Sequence, residues 1–464
     1  MKNHATLELP TRRDAVKSGL SLSAALLVGP DVIAGLEASQ GPGKNVERPY
    51  LDVARQAGRW IARSAIVDDK GMRWPADPAN PAPPDLDLYN GTPGVIPFWL
   101  ELHAATGDAH AREYASVGAD YLLGTLPTGK TSSAGLYEGL AGIAWVLAMT
   151  HRATREKRHA EGAARAHAMI KAAAEPDGSG RGVRWADSTD IVSGGAGTGL
   201  YLLWAQRELR DPSSLDLAVR AGQALVVAAE PVGDGLRWKV NATIERNYPN
   251  FAHGTGGVAY FLATLHQATG ERVFLDAALA GVRYLNAIAT STPNGGRMVF
   301  HSEPGNEKLF YLSWCHGPSG LARLYHRLGA ITGDKSYLAF VEQLATATVD
   351  MKVPERSPGF WNNISQCCGN CGVAEFFTSL YLARHDKRYL AFAERVAQDT
   401  IARGTVDGDG MKWVQAENRV SPNAVVAQTG LMRGAAGVGL AMLHLDGALH
   451  GRKPAVLLPD NPFG

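Results

Sequence analysis

All four cysteines of this 464-residue chain lie in two short segments. The first segment, residues 313–317, reads SWCHG, and the second, residues 366–372, reads QCCGNCG. Thiols concentrated in two distant segments, in a chain with no other cysteine, are typical of a metal site, and sulfur ligands favour zinc. The sequence therefore predicts a zinc site assembled from these two segments.

Each cysteine segment contains the start of a Gly-x-x-Gly motif, and this motif occurs seven times, always before an apolar helix. The first glycines of the seven copies are Gly91, Gly139, Gly194, Gly254, Gly317, Gly369 and Gly434. After the fourth copy, Val258, Phe261, Leu262 and Leu265 recur with the period of a helix that buries one face. Turn signals such as Thr-Gly-Asp at residues 106–108 then precede a second helix. Each repeat is therefore predicted to be a helical hairpin.

Seven helical hairpins can stack as an open solenoid or close into a ring. Closure explains the glycines better, because residues without a Cβ let neighbouring helix starts and loops approach at the crowded end of an inner ring. We therefore predict an all-α fold, an (α/α) toroid of seven helical hairpins with inner and outer helix rings. The residues just before each motif would then converge on one cavity: Asn90, Glu138, Ser193, His253, His316, Cys368 and Arg433.

Charge and composition exclude several classes of partner. The 46 basic and 45 acidic residues leave a net charge of +1, which gives no support to nucleic-acid binding or to electrostatic membrane attachment. A hydrophobic content of 45% is enough for a large core that needs no disulfides. No apolar run beyond the N-terminal segment is long enough to span a bilayer. We expect no nucleic acid, no stable membrane insertion, and a monomer that acts on a small or roughly neutral partner.

The N-terminal segment differs in character from the rest of the chain. Arg12 and Arg13 are followed by a modestly apolar stretch that ends at Gly29-Pro30, which is typical of a twin-arginine export signal. We predict a signal peptide over residues 1–38 and export to the periplasm or the cell exterior; an amphipathic helix of the folded domain is the alternative. Because this route carries folded proteins, thiols bound to zinc in the cytoplasm would be exported already protected.

The repeat pattern and the cysteine motifs together resemble one protein family. A sevenfold Gly-x-x-Gly helical toroid with WCHG in the fifth repeat and CCG in the sixth is similar to the lanthionine synthetase C-like (LanC-like) proteins. The resemblance implies one LanC-like toroid domain over residues 45–455 and one zinc ion held by Cys315, Cys367 and Cys368. The family more often has histidine at the position of Cys368. The resemblance also implies that His253, in the fourth repeat, and Asp190, four residues before the glycine of the third, are acid/base groups.

The resemblance further implies a reaction. Three protein ligands leave one tetrahedral position of zinc open, as in catalytic sites, and a thiol bound there loses its proton. Three cysteine thiolates should leave that sulfur nucleophilic. The family chemistry is the addition of a thiol, from cysteine or a small glutathione-like molecule, to a dehydroamino acid of a dehydrated peptide, giving a thioether. His253 would protonate the resulting enolate, and Asp190 could orient or charge His253 or receive the thiol proton.

Other interpretations stay open at this stage. Cys371 could close a structural zinc site with the other three cysteines, or the cysteines could form disulfides after export. Asp190 could simply cap a helix, and Glu138 and Arg433 are candidate substrate-binding residues. A carbohydrate-active (α/α) toroid could instead use paired carboxylates chosen from Asp190, Glu138 and Glu245. A protein that binds a peptide or thiol, with structural zinc and no turnover, is a third possibility.

Overall fold

The computed structural model describes residues 47–83, 85–126, 133–355, 363–416 and 419–463. The predicted signal peptide, residues 1–38, lies outside them. These residues form fourteen α-helices: α1 (Pro49–Arg63), α2 (Thr92–Thr106), α3 (Ala109–Thr125), α4 (Leu140–Thr154), α5 (Lys157–Ala172), α6 (Gly195–Glu208), α7 (Ser213–Val227), α8 (Thr255–Thr269), α9 (Arg272–Ile288), α10 (Pro318–Thr332), α11 (Lys335–Asp350), α12 (Asn370–Arg384), α13 (Lys387–Ala402) and α14 (Ala435–Leu449).

Short β-hairpins lie in the connections between the helices. Each strand pairs antiparallel with its neighbour in sequence, so that Val67, for example, lies opposite Met72. In the described parts of the chain there are six hairpins: β1 (Ile66–Asp68) with β2 (Gly71–Arg73), β3 (Glu175–Pro176) with β4 (Val183–Arg184), β5 (Glu230–Val232) with β6 (Gly235–Arg237), β7 (Thr290–Ser291) with β8 (Arg297–Met298), β9 (Thr405–Asp407) with β10 (Gly410–Lys412), and β11 (Val414–Ala416) with β12 (Val425–Ala427).

The even-numbered helices form a closed inner ring. Each packs against the next even-numbered helix along the chain, and α14 packs against α2. The inner helices are buried almost all round; in α14 every residue from Ala435 to Ala448 is buried. Outer helices such as α9 bury one face only. The prediction of an all-α closed toroid is therefore confirmed, and an open solenoid is excluded.

The seventh helical pair joins the two ends of the chain. Six inner helices pack against the outer helix that follows them in sequence, from α2 with α3 to α12 with α13. The last inner helix, α14, instead packs against α1 from the N-terminal end. Arg48, just before α1, forms a bidentate ion pair with the buried Asp446 of α14, with an Nε–Oδ1 distance of 3.1 Å. The ring is thus completed by residues 398 positions apart in sequence.

The Thr-Gly-Asp turns connect inner to outer helices by two capping devices. Gly107 and Gly333 end α2 and α10 in the left-handed conformation, with φ of 74° and 71°, which favours glycine. Asp108 and Asp334 then cap α3 and α11, because their carboxylates accept the amides of the second helical residue. These caps explain why the turn signals marked the helix ends correctly.

The seven loops that precede the inner helices are joined by a closed ring of backbone hydrogen bonds, with N–O distances of 2.9–3.1 Å. The amide donors, in order around the ring, belong to Tyr89, Tyr137, Ile191, Ala252, Cys315, Cys367 and Met432. The carbonyl acceptors, in the same order, belong to Tyr137, Val192, Ala252, Cys315, Cys367, Met432 and Tyr89. Cys315 donates to Cys367, so the ring makes these two cysteines direct neighbours.

The second glycine of each motif lets its own preceding loop fold back over the helix start. A Cβ on Gly320 would overlap the carbonyl oxygen of Trp314, and one on Gly372 would overlap that of Gln366. The glycines therefore serve close approach, as predicted, although the backbone they accommodate in these two repeats is that of the same repeat. Among the residues described, no helix has the length and apolar character needed to cross a membrane.

Candidate metal centre and active site

Three cysteine sulfurs come together at the inner-helix starts. The Sγ atom of Cys368 lies 3.2 Å from that of Cys315 and 3.4 Å from that of Cys367, and all three lie within 4.8 Å of one another. These sulfurs are free thiols, since a disulfide bond is about 2.05 Å long. A zinc ion about 2.3 Å from each sulfur would space them by roughly 3.8 Å. The donor chemistry and the spacing therefore fit one zinc ion.

Cys371, the fourth cysteine, lies outside this thiol cluster. It is fully buried in the first turn of α12, and its side chain contacts Thr400 of α13. Burial raises the pKa of its thiol above the ordinary value. The closed four-cysteine site considered from the sequence does not fit this geometry, because among the described residues the cluster that could hold a metal ion consists of the other three cysteines.

Two groups next to the thiol cluster favour negative charge on it. The hydroxyl of Tyr89 donates to Cys367 Sγ at 2.7 Å, and the Arg433 guanidinium lies 5.1 Å from the centre of the Tyr89 ring. Burial raises the pKa of Cys367, but hydrogen bonds from the neighbouring thiols and Tyr89, together with the Arg433 charge, lower it well below its ordinary value. Arg433 was a sequence candidate, whereas Tyr89 was missed. Tyr89 lies two residues before the first glycine of its motif, as Cys315 does in the fifth repeat. That equivalent position could have identified Tyr89 as a neighbour of the thiols.

His253 and Asp190 form a close pair. His253 Nδ1 lies 2.6 Å from Asp190 Oδ2, and because a carboxylate only accepts, Nδ1 carries the proton. The other Asp190 oxygen accepts the amides of Ser193 and Gly194, both at 2.9 Å. Burial raises the pKa of this carboxyl, but the His253 contact and the Ser193 amide outweigh it, so the pKa is lowered. Asp190 thus holds His253 and binds two amides of the loop before α6, which begins at Gly195, so it does not cap the helix itself.

The imidazole of His253 is poised to carry a positive charge. Its side chain is 37% exposed, and its ring centre lies 5.6 Å from that of His316, the residue after Cys315. Partial burial lowers the pKa of His253, but the Asp190 carboxylate and the nearby charges of Cys367 and Glu138 raise it above the ordinary value. The Asp190 carboxylate therefore favours the protonated form of the imidazole.

A group of neutral aromatic rings forms another wall of the site. The rings of His301 and His316 are 4.3 Å apart, and Tyr311 packs against His301 at 4.5 Å. Burial, helped by Arg419 and Arg246, lowers the pKa of His301 to about 4, and burial also holds the pKa of His316 well below its ordinary value. His316 is not part of the three-thiol cluster that could hold a metal ion. His301 and Tyr311 were not anticipated, because they lie in a connection outside the repeated motif.

The carboxylates considered for a carbohydrate enzyme are placed differently from one another. Glu138 lies on the rim near Asp190, and burial together with Asp87 and Asp190 raises its pKa. Asp190 is engaged by His253 and by backbone amides. Glu245 is exposed in the connection that follows β6. The structure thus brings two of the three candidates, Glu138 and Asp190, near each other.

Comparisons with known proteins agree with this architecture. A family model described as lanthionine synthetase C-like protein matches residues 82–458. A nisin cyclase structure, 16% identical, aligns over 86% of this chain and 98% of its own with a TM-score of 0.59. An α-1,6-mannanase of Salegentibacter sp. HEL1_6, 12% identical, aligns over 86% of this chain and 99% of its own with a TM-score of 0.45. An unsaturated glucuronyl hydrolase specific for heparin, 12% identical, aligns over 88% of this chain and 100% of its own with a TM-score of 0.46. At such identities, the likeness to nisin cyclase concerns the fold.

Proposed function

The chain belongs to the lanthionine synthetase C-like family, and from that premise we propose that it is a zinc-dependent enzyme that joins a thiol to a dehydroamino acid through a thioether bond. The observation that carries the proposal is the clustering of three thiols beside the His253–Asp190 pair. A carbohydrate enzyme would leave the thiol cluster without a role.

The proposal assigns the zinc ion to Cys315, Cys367 and Cys368. Bound there, zinc would lower the pKa of a substrate thiol and leave one position for it, because three protein ligands occupy the rest of a tetrahedron. The Tyr89 hydroxyl holds Cys367 from the side, and the positive charge of Arg433 offsets the negative charge of the thiolates. These two residues favour the thiolate form that a metal ligand requires.

The bond changes balance without an oxidant or a leaving group. The substrate sulfur, having lost its proton, bonds to the β-carbon of a dehydroalanine or dehydrobutyrine residue. The electron pair of the carbon–carbon double bond moves towards the carbonyl as an enolate, and His253 protonates the α-carbon. Asp190 holds Nδ1 and leaves Nε2 as the nitrogen that donates. The Asp190 contact raises the pKa of His253, which favours the protonated form that a proton donor requires.

The proposal is tested with purified zinc-loaded protein, glutathione and a short peptide that contains dehydroalanine. We expect the peptide mass to increase by one glutathione at a rate above the uncatalysed reaction. His253→Ala should lower that rate by about 10²- to 10⁴-fold, the usual contribution of a general acid. Cys371→Ala, which removes a thiol outside the cluster, is the matched control and should keep the activity. Zinc-bound protein with no rate above background would contradict the proposal.

We also propose that the enzyme works outside the cytoplasm, because Arg12 and Arg13 precede an export-like segment. In a bacterial host, the natural N-terminus should direct a chain processed after Ala34 or Ala38 to the periplasmic fraction. Replacing both arginines by lysine should retain the protein in the cytoplasm. An unprocessed cytoplasmic chain with both arginines intact would contradict the assignment.

A further inference from the structure

The end of the chain folds back into the hollow of the inner ring. After α14, the amides of Ala455 and Val456 both donate to the buried Glu101 of α2 at 2.8 Å. Residues 456–458, Asn461 and Phe463 line one cavity together with side chains of inner helices α2, α4, α10, α12 and α14. That cavity measures about 50 Å³, enough for a few water molecules. The C-terminal segment, residues 454–463, therefore packs against the inner helices and lines this cavity with them.

Asp460 is the most strongly held residue of the C-terminal segment. Its side chain is fully buried, and Oδ2 accepts from Trp314 Nε1 at 3.1 Å and from the Tyr137 hydroxyl at 3.1 Å. The same oxygen lies 3.0 Å from Arg323 Nη1 of α10, which also donates to the Asp460 carbonyl at 2.9 Å. The ion pair with Arg323 offsets the cost of burying the charge. The two aromatic donors bind the carboxylate in addition.

Both aromatic donors belong to loops of the backbone hydrogen-bond ring. Trp314 directly precedes Cys315, and its ring centre lies 4.8 Å from that of Tyr137. Tyr137 in turn lies 6.5 Å from Tyr89, whose hydroxyl donates to Cys367 Sγ. Asp460 thus binds the loop of Cys315 through Trp314. It also binds Tyr137, the ring that packs against Tyr89, the hydrogen-bond donor to Cys367.

The position of Trp314 is unusual among the seven repeats. The equivalent residues, three positions before the first glycine of the other motifs, are Leu88, Leu136, Ile191, Phe251, Gln366 and Leu431. Five of these six are apolar. Apolar residues at the chain end could occupy the hollow without burying a charge, and replacing a buried ion pair by apolar side chains often leaves a protein equally or more stable. The indole donor and its buried carboxylate therefore occur together at the loop of Cys315.

We propose that Asp460 is a positioning residue for the thiol cluster. By holding the indole of Trp314 and the hydroxyl of Tyr137, the carboxylate fixes the loop of Cys315 against its neighbours, so that the three sulfurs keep the spacing that a metal ion needs. This inference rests on the proposed zinc site and adds a residue 145 positions beyond Cys315 to its support. Groups that orient metal ligands commonly change metal affinity by about 10- to 100-fold when removed.

The test compares Asp460→Ala with Asp446→Ala in the full-length protein. Asp446 is an equally buried carboxylate with an arginine partner, but its partner lies at the junction of α1 and α14. Both substitutions should lower Tm. Only Asp460→Ala should weaken zinc binding, by about 10-fold or more in competition with a chelator, and change the visible absorption of the Co²⁺-substituted protein. Asp460→Asn and Trp314→Phe, which perturb the same contact more mildly, should change that absorption in the same direction.

Unchanged affinity and unchanged Co²⁺ absorption in folded Asp460→Ala would overturn the inference, as would equal changes in Asp446→Ala. If Asp460→Ala does not fold, Trp314→Phe and Asp460→Asn decide by the same two measurements. Metal binding is measured without turnover, so the two proposals can fail separately. A wild-type protein that binds zinc but forms no thioether would reject the proposed reaction and leave the Asp460 result standing, whereas one that binds no metal would reject both.

Discussion

Asp190→Asn isolates the part of the site that charges His253. The amide oxygen can still accept the amides of Ser193 and Gly194, so the loop cap is kept. The amide group that replaces Oδ2 cannot accept the Nδ1 proton of His253, so the contact of 2.6 Å loses its charge assistance. We therefore expect a folded protein that binds zinc normally but has an imidazole that gives up its proton more easily.

The size of the effect follows from the exposure of the imidazole. A hydrogen bond to a charged group contributes roughly 1.5–3 kcal/mol, and about 1.4 kcal/mol corresponds to a tenfold change in rate. Because the side chain of His253 is 37% exposed, solvent screening places the contribution at the lower end of that range. The expected loss in kcat at neutral pH is therefore about 10-fold.

The assay is the pH dependence of thioether formation between about pH 5 and pH 9 at saturating thiol. A histidine with a raised pKa donates its proton fully at low pH, and the rate falls as the pH rises through that pKa. In the wild-type protein the rate should begin to fall at a pH above the ordinary pKa of histidine, and in Asp190→Asn the fall should move to lower pH. Asp211→Asn is the matched control, because Asp211 contacts His167 at 2.8 Å outside the site. An unchanged profile in Asp190→Asn at equal zinc content would refute the assignment of His253 as the proton donor.

Three further predictions concern the metal and the ring. Cys315→Ala should bind less than one equivalent of zinc by metal analysis. Removing zinc from the wild-type protein with a chelator should abolish activity while the far-ultraviolet circular dichroism spectrum stays helical, whereas loss of helix would indicate structural zinc. Tyr89→Phe should retain zinc about 10-fold less tightly in chelator competition, because Cys367 loses its hydroxyl donor; an unchanged affinity would show that the hydroxyl is dispensable. Arg48→Ala leaves the buried Asp446 carboxylate without its ion pair and should lower the free energy of unfolding by about 1–3 kcal/mol in urea titration; no loss would mean that α1 is held without this ion pair.

The repeats made most of the fold predictable. Glycine motifs and helical periodicity repeat in sequence, so the hairpins and their closure into a ring followed from local patterns. The same repeat explains the success with the thiol cluster. Cys315 and Cys367 occupy equivalent positions in consecutive repeats, and the backbone ring makes equivalent positions adjacent. Whatever repeats along the chain could therefore be located before the structure was known.

Features that occur once were harder to predict from the sequence. The pairing of α1 with α14 joins distant segments through apolar packing and one ion pair, and neither leaves a periodic signal. His301 lies between β8 and α10 and packs against His316, the residue after Cys315. Cys371 has the spacing of a metal ligand to Cys368 but contacts Thr400, since Cys368 lies in the loop before α12 whereas Cys371 lies in its first turn. Side-chain direction and long-range packing decided these cases.

The joining of α1 to α14 has a consequence for the order of events during biosynthesis. The first helix leaves the ribosome early, but its partner is made almost four hundred residues later, so the nascent chain can form only an open arc of hairpins. The closing contacts have very high contact order, which makes closure a late step with a large loss of chain entropy. The hydrogen bond from Cys367 to Met432 belongs to that late step, so we expect the sulfurs to acquire their final spacing only after the segment around Met432 has left the ribosome.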